Sequence, residues 1–131
     1  MDTYQWYQQL LKPSWAPPAE VFAPAWTVLY ILIAVSFGAV FYLAWRKKIP
    51  KEITPPFILN LIFNLAFAPI QFGLRSLVWA SLDIILILIT LIWAMLMVYR
   101  YQKWITWLNL PYLIWVSLAL VLQLTIAYLN I

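Results

Sequence analysis

The sequence contains no histidine, no cysteine and only two glycines among its 131 residues. Those absences exclude a zinc site of the usual Cys/His kind, a disulfide framework, a Ser/His or Cys/His catalytic pair and a His-ligated haem. No metal site is expected. Gly38 and Gly73 stand outside any phosphate-cradling motif, so nucleotide-dependent catalysis has no support. Charge is scarce too: 9% of residues are charged, and the net +4 is too small and too clustered at loop ends to make nucleic acid a partner. In its place the chain is 66% hydrophobic and 18% aromatic, with nine Trp, eight Tyr and seven Phe. A soluble domain of this size buries only about two-thirds of its unfolded surface, which would leave much apolar material in water. Lipid is the expected solvent, and an all-α integral membrane protein the expected class.

Four apolar runs are long enough to cross a bilayer, at about 21–45, 57–74, 77–99 and 108–130. Pro24 falls in the first turn of the first run and Pro111 near the start of the fourth, where a missing N–H costs little. Pro69 is expected to interrupt the second. Residues 1–20 lack the basic start and apolar run of a signal peptide. With prolines at 13, 17 and 18 they read as an amphipathic segment on the membrane surface followed by a rigid turn. The chain is thus one membrane domain, 1–131, made of a surface segment (1–20) and a helical bundle (21–131). Arg46, Lys47, Lys48, Lys51, Arg100 and Lys103 share one side, against Lys12 and Arg75 on the other. The positive-inside rule makes the richer side cytoplasmic and turns both termini outward, with Trp45, Trp104 and Trp107 as interface anchors.

Polar and aromatic groups inside the runs define faces. Asn60 and Asn64 are i, i+4 neighbours, and Phe67, Ala68 and Gln71 extend their face. Tyr112, Trp115, Ala119 and Gln123 form a stripe in the fourth run, and Trp26 and Tyr30 lie one turn apart in the first. An amide in hydrocarbon needs a partner, so these faces turn inward. Interhelical glue and the lining of an apolar ligand pocket both remain open from spacing alone. Asp83 is the one carboxylate within a run and reads as an ion pair or cap toward the loop at Arg75, with proton coupling as the other reading. Glu20 reads as a structural acid at the start of the first helix.

The segment WYQQLLKPSWAPP, followed by Phe22, Trp26, Leu29 and Tyr30, resembles the signature of the tryptophan-rich sensory protein (TspO) and translocator protein, or peripheral benzodiazepine receptor, family. NLAFAPIQFGL with Ala80 and Asp83 resembles that family's Asn-x-x-Trp-Ser-Pro-x-Phe-Phe stretch and its following Ala-x-x-Asp, and PYLIWVSLALVLQLTIAYLN its closing Pro-Tyr-x-x-Trp helix. The family has five spanning helices, and its Trp-Tyr-x-x-Leu-x-Lys-Pro segment follows the first. The four runs here therefore correspond to helices two to five, by truncation or as a four-helix variant, and the packing surface so exposed makes a homodimer the expected assembly. Against the family pattern, Asn60 stands for Gln, Phe67 for Trp, Ala68 for Ser, Gln71 for the first Phe and Gln123 for an Asn. No Lys or Arg follows Tyr128, so the sterol-recognition pattern of animal members is not reproduced and sterol is not the expected ligand.

The resemblance implies a bacterial or archaeal cell membrane and a pocket toward the outer face, lidded by residues 1–20. Its implied lining is Trp15, Trp26, Tyr30, Asn60, Asn64, Phe67, Ala68, Trp115 and Ala119, with Lys12 as a contact for ligand carboxylates. The implied ligands are tetrapyrroles, protoporphyrin or haem, whose broad ring would stack on indole and phenol groups. No cofactor is required. The expected function is a tetrapyrrole-binding sensor or regulator, with Trp26 and Trp115 as candidate electron donors in light-dependent porphyrin breakdown or with porphyrin transport. The alternative is a small four-helix transporter of a hydrophobic or cationic solute.

Overall fold

The computed structural model describes residue 6 and residues 8–17 and 19–130. Four helical passages are long and apolar enough to span a bilayer, Glu20–Trp45, Lys51–Gly73, Leu77–Tyr99 and Lys103–Asn130. They are built from α1 (Ala19–Trp45), α2 (Thr54–Ala68), α3 (Leu77–Tyr99), a short α4 (Lys103–Leu108) and α5 (Leu110–Asn130), and there is no strand among the described residues. At 1.5 Å per residue, the 23 residues of α3 reach about 35 Å, enough for the hydrocarbon. The protein is an all-α integral membrane protein.

Local chemistry sets the helix ends. Glu20 lies in the first turn of α1, where the exposed N–H groups favour an acid. Pro55 and Pro56 occupy the first turn of α2, where no donor is lost. Ser76 caps α3, its hydroxyl accepting the Trp79 N–H at 3.2 Å. Helix α1 ends with Lys47 at φ 57°, the Lys47 N–H bonding the Ala44 carbonyl and the Lys48 N–H that of Leu43. This is a Schellman cap with lysine where glycine is usual. Inside the spans, the hydroxyls of Thr27, Ser36, Ser81, Thr90, Ser117 and Thr125 each return a bond to the carbonyl four residues back, so none is left bare in lipid.

Two boundaries depart from expectation. Pro69 does not interrupt the second span: the chain runs on through a π-turn, Pro69–Gly73. The wider turn accommodates the proline, and Leu74 N–H bonds the Pro69 carbonyl at 2.9 Å. The fourth span begins five residues early, because Lys103–Leu108 is already helical and carries Trp104 and Trp107 exposed on its surface. Asn109 joins α4 to α5, its side-chain N–H capping the Ile105 carbonyl at 2.8 Å.

Packing differs between the two ends of the bundle. At the end holding the basic loops, Ile49, Ile53, Phe57, Leu91, Val98 and Ile105 are all buried, and Phe37 meets Phe57 edge-to-face at 4.8 Å. Toward the end holding both termini the helices leave a cavity. Val28, Ile31, Val35, Leu65, Leu96 and Ile114 are exposed on the bundle surface, as lipid-facing groups are.

Candidate functional site

The cavity measures about 500 Å³ and is walled by α1, α2 with its π-turn, α3 and α5. Phe22, Trp26 and Tyr30 come from the first half of α1, Asn64, Phe67, Ala68, Gln71 and Phe72 from the second span, and Ile84 and Ile87 from α3. Helix α5 adds Trp115, Val116, Ala119, Leu122, Gln123 and Ile126. The wall is therefore mostly apolar and aromatic with a few amides, the composition usual for small-molecule sites.

The rings are held against one another. Trp26 lies 6.4 Å from Trp115 at 88° and 5.5 Å from Tyr30 at 32°, and Phe22 lies 5.8 Å from Trp115. The two contacts of Trp115, at 75° and 88°, are edge-to-face and hold ring orientation as well as burying area. The Trp115 indole N–H is buried without a hydrogen-bond partner among the described residues, a donor that a ligand oxygen or ring nitrogen can satisfy.

A polar network fixes the side of the cavity nearer the basic end. Tyr30 donates to Asn64 Oδ1 at 3.1 Å, Asn64 Nδ2 donates to the Tyr112 hydroxyl at 2.7 Å, and Tyr112 donates to Asn60 Oδ1 at 2.9 Å. Asn60 Nδ2 ends the chain on the Ile87 carbonyl and Thr90 Oγ1, at 2.9 and 3.1 Å. One line of bonds thus links α1, α2, α5 and α3. Toward the opposite end, Gln71 and Gln123 exchange N–H···O bonds of 3.1 and 2.9 Å.

The N-terminal segment packs on that opposite end. Trp6, Leu10 and Ala16 sit against Leu122 and Ile126 together with Phe22 and Phe72, and all four of those larger side chains belong to the cavity wall. Asn130, at the end of α5, clasps the segment by accepting the Leu11 N–H at 3.0 Å and donating to the Leu11 carbonyl at 2.9 Å.

The TspO/MBR family model matches residues 1–129 of the chain. The chain belongs to the TspO/MBR family. It is 36% identical over 125 residues to the tryptophan-rich protein TspO of Chlorobaculum tepidum, covering 95% of this chain and 79% of that one. It is 35% identical to the TspO of Archaeoglobus fulgidus, covering 95% and 80% of the two chains. The human translocator protein is 33% identical over 129 residues, covering 91% and 71%.

Of the site residues expected for a TspO/MBR chain, the fold brings Trp26, Tyr30, Asn64, Phe67, Ala68, Trp115 and Ala119 together around the one cavity. Asn60 stands outside the wall. It is fully buried one turn, about 5–6 Å, further toward the basic end, where its amide serves α3 and Tyr112. Trp15 is also outside, on a turn and 47% exposed; among the described residues of the segment it is Trp6 that meets a ring of the wall, 6.1 Å from Phe72. Lys12 does not line the cavity, and its ammonium bonds the Leu10 carbonyl at 3.1 Å. Asp83 forms no ion pair with Arg75, which lies over the Trp6 ring at 5.7 Å. Asp83 Oδ2 is instead buried without a hydrogen-bond partner among the described residues. Spacing did not find Ile84 and Ile87, because in a run as uniformly apolar as α3 no pattern separates cavity-facing from lipid-facing isoleucines.

Proposed function

We propose that this TspO/MBR-family protein binds a tetrapyrrole, protoporphyrin or haem, in the cavity and acts as a membrane-embedded sensor or regulator of it. The observation that carries this reading is the convergence of Trp26, Tyr30, Phe67 and Trp115 on a mostly apolar space of about 500 Å³, within the roughly 300–1,000 Å³ usual for small-molecule sites. A flat macrocycle stacks on such rings, and small Ala68 and Ala119 leave it room. Recognition of the organic ring suits this wall better than iron ligation: the chain has no His or Cys, and the Tyr30 and Tyr112 hydroxyls are committed to Asn64 and Asn60. Under light, Trp26 or Trp115 is placed to give an electron to the excited porphyrin, the first step of a photo-oxidative breakdown in which dioxygen is the final oxidant.

The test is titration of the purified protein with protoporphyrin, followed by the pigment's absorption band. Saturable micromolar binding is expected, weakened about 10- to 100-fold in Trp26→Ala, the worth of one large ring contact of roughly 1.5–3 kcal/mol. Trp104→Ala, on the exposed surface of α4, leaves it unchanged. Equal loss in both variants, or no saturable binding, removes the reading.

One observation favours the rival, transport of a hydrophobic or cationic solute: Asp83, within a span, has its Oδ2 buried with no hydrogen-bond partner among the described residues. Solute flux into vesicles under a proton gradient, abolished by Asp83→Asn, is its signature; ligand binding without flux supports the sensor.

A further inference from the structure

Around the link between the first two spans, residues 46–51 carry four cations, Arg46, Lys47, Lys48 and Lys51, and all four are exposed. None has an ion-pair partner among the described residues. A basic loop at the end of a span needs only to stay out of lipid, and side chains on a loose link would satisfy that. This link is fixed. Lys47 holds φ 57°, in the left-handed region that favours glycine, so that its N–H and that of Lys48 close α1 on the Ala44 and Leu43 carbonyls at 3.0 and 2.8 Å. Glycine there would relieve the strain, and lysine keeps the charge. Ile49 and Ile53 are buried in the core on either side of Pro50, whose ring sets its φ at −64°.

From this pinned backbone Lys47, Lys48 and Lys51 line one open hollow of about 920 Å³ together with Trp45, and Glu52 is the one acid in its wall. Positive charge is in excess. The hollow also lies at the depth of lipid headgroups, because the first span ends at Trp45 and the second begins at Lys51. Trp45 and Tyr42, one turn before it, are 83% and 60% exposed, as aromatic side chains at the edge of the hydrocarbon are.

We propose that this hollow is a binding site for the headgroup of an anionic phospholipid. The ammonium groups of Lys47, Lys48 and Lys51 meet its phosphodiester, and its acyl chains lie along the lipid-facing side of α1. A soluble phosphate would draw on the same lysines but would gain nothing from the exposed rings and apolar helix beside them. The hollow is at the opposite end of the bundle from the cavity, and the inference stands apart from what the cavity binds.

Native mass spectrometry of the whole protein in neutral detergent, titrated with phosphatidylglycerol or with phosphatidylcholine, reads the first lipid bound. Phosphatidylglycerol is expected to bind about 20-fold more tightly, at roughly fivefold for each cation in excess beside an anionic headgroup. In Lys47→Gly with Lys48→Gln the preference falls below about threefold, and glycine suits the backbone of the cap. Lys48→Gln with Lys51→Gln, which leaves the cap residue in place, gives the same loss; circular dichroism identifies a pair that has not folded, and the other then decides. Arg100→Gln with Lys103→Gln removes as much charge from the same end but outside the hollow, and keeps the preference within about twofold of the wild type. Equal binding of the two lipids by the wild type, or an equal loss in the hollow and control pairs, overturns the site. Glycerol phosphate, which carries the phosphate without the chains, is expected to leave the lipid bound at equal concentration. Displacement would assign the hollow to a soluble phosphate and overturn the lipid.

Discussion

Replacing Tyr112 by Phe removes one oxygen from the centre of the bundle and nothing else. Tyr112 is fully buried, and its hydroxyl both donates to Asn60 Oδ1 at 2.9 Å and accepts from Asn64 Nδ2 at 2.7 Å. Both amides are buried inside the bundle, where solvent is a poor source of replacement partners. Hydrogen bonds between spans contribute about 0.6–1.7 kcal/mol each, which puts the loss for two at about 1–3 kcal/mol. The assay is unfolding in mixed micelles with increasing SDS, followed by far-UV circular dichroism, with Tyr128→Phe as the control because that ring is exposed. A cycle with Asn64→Ala gives the coupling directly, expected at about 1 kcal/mol. Ring area is unchanged and Tyr112 is not in the cavity wall, so protoporphyrin affinity should move by less than about threefold. A Tyr112→Phe variant within about 0.3 kcal/mol of the wild type would refute the claim that this network holds the four spans together.

Ala119→Phe places a ring inside the cavity and is expected to lower protoporphyrin affinity at least about tenfold while leaving the helical spectrum intact, as absorption titration and circular dichroism will read. Asn130→Ala releases both bonds to the Leu11 backbone, and stopped-flow measurement should find ligand release accelerated about fivefold or more, at one to two lost hydrogen bonds, if the segment lids the cavity. Trp45→Ala and Trp107→Ala, exposed at the basic end, should leave both quantities unchanged.

The spans were legible because lipid demands long apolar runs: Leu77–Tyr99 has the bounds that composition predicts. The pocket was legible where a polar or aromatic residue stood out against that background. Trp26, Tyr30, Asn64, Phe67, Ala68, Trp115 and Ala119 fall at helical spacing and share the cavity. Spacing fixes a face but not a depth, and so it put Asn60 beside Asn64 although the two amides serve different ends of one network. The Pro69 region misled because a proline marks a disturbed helix without saying whether the chain breaks or widens. Arg75 and Asp83 look like an ion pair along the sequence, yet the guanidinium meets the Trp6 ring, a contact across 69 residues that no local pattern contains. The choice of Trp6 over Trp15 for the contact with the wall depends on where Asn130 clasps Leu11, which is likewise tertiary.

We propose above that a tetrapyrrole sits in the cavity between α1, α2, α3 and α5. An experimental structure of the protein saturated with protoporphyrin tests it most directly. The macrocycle is expected in contact with both Trp26 and Trp115, beneath the segment held by Asn130. A macrocycle lodged instead on the lipid-facing surface or at the basic end beside Trp45, with the cavity unchanged, would contradict it.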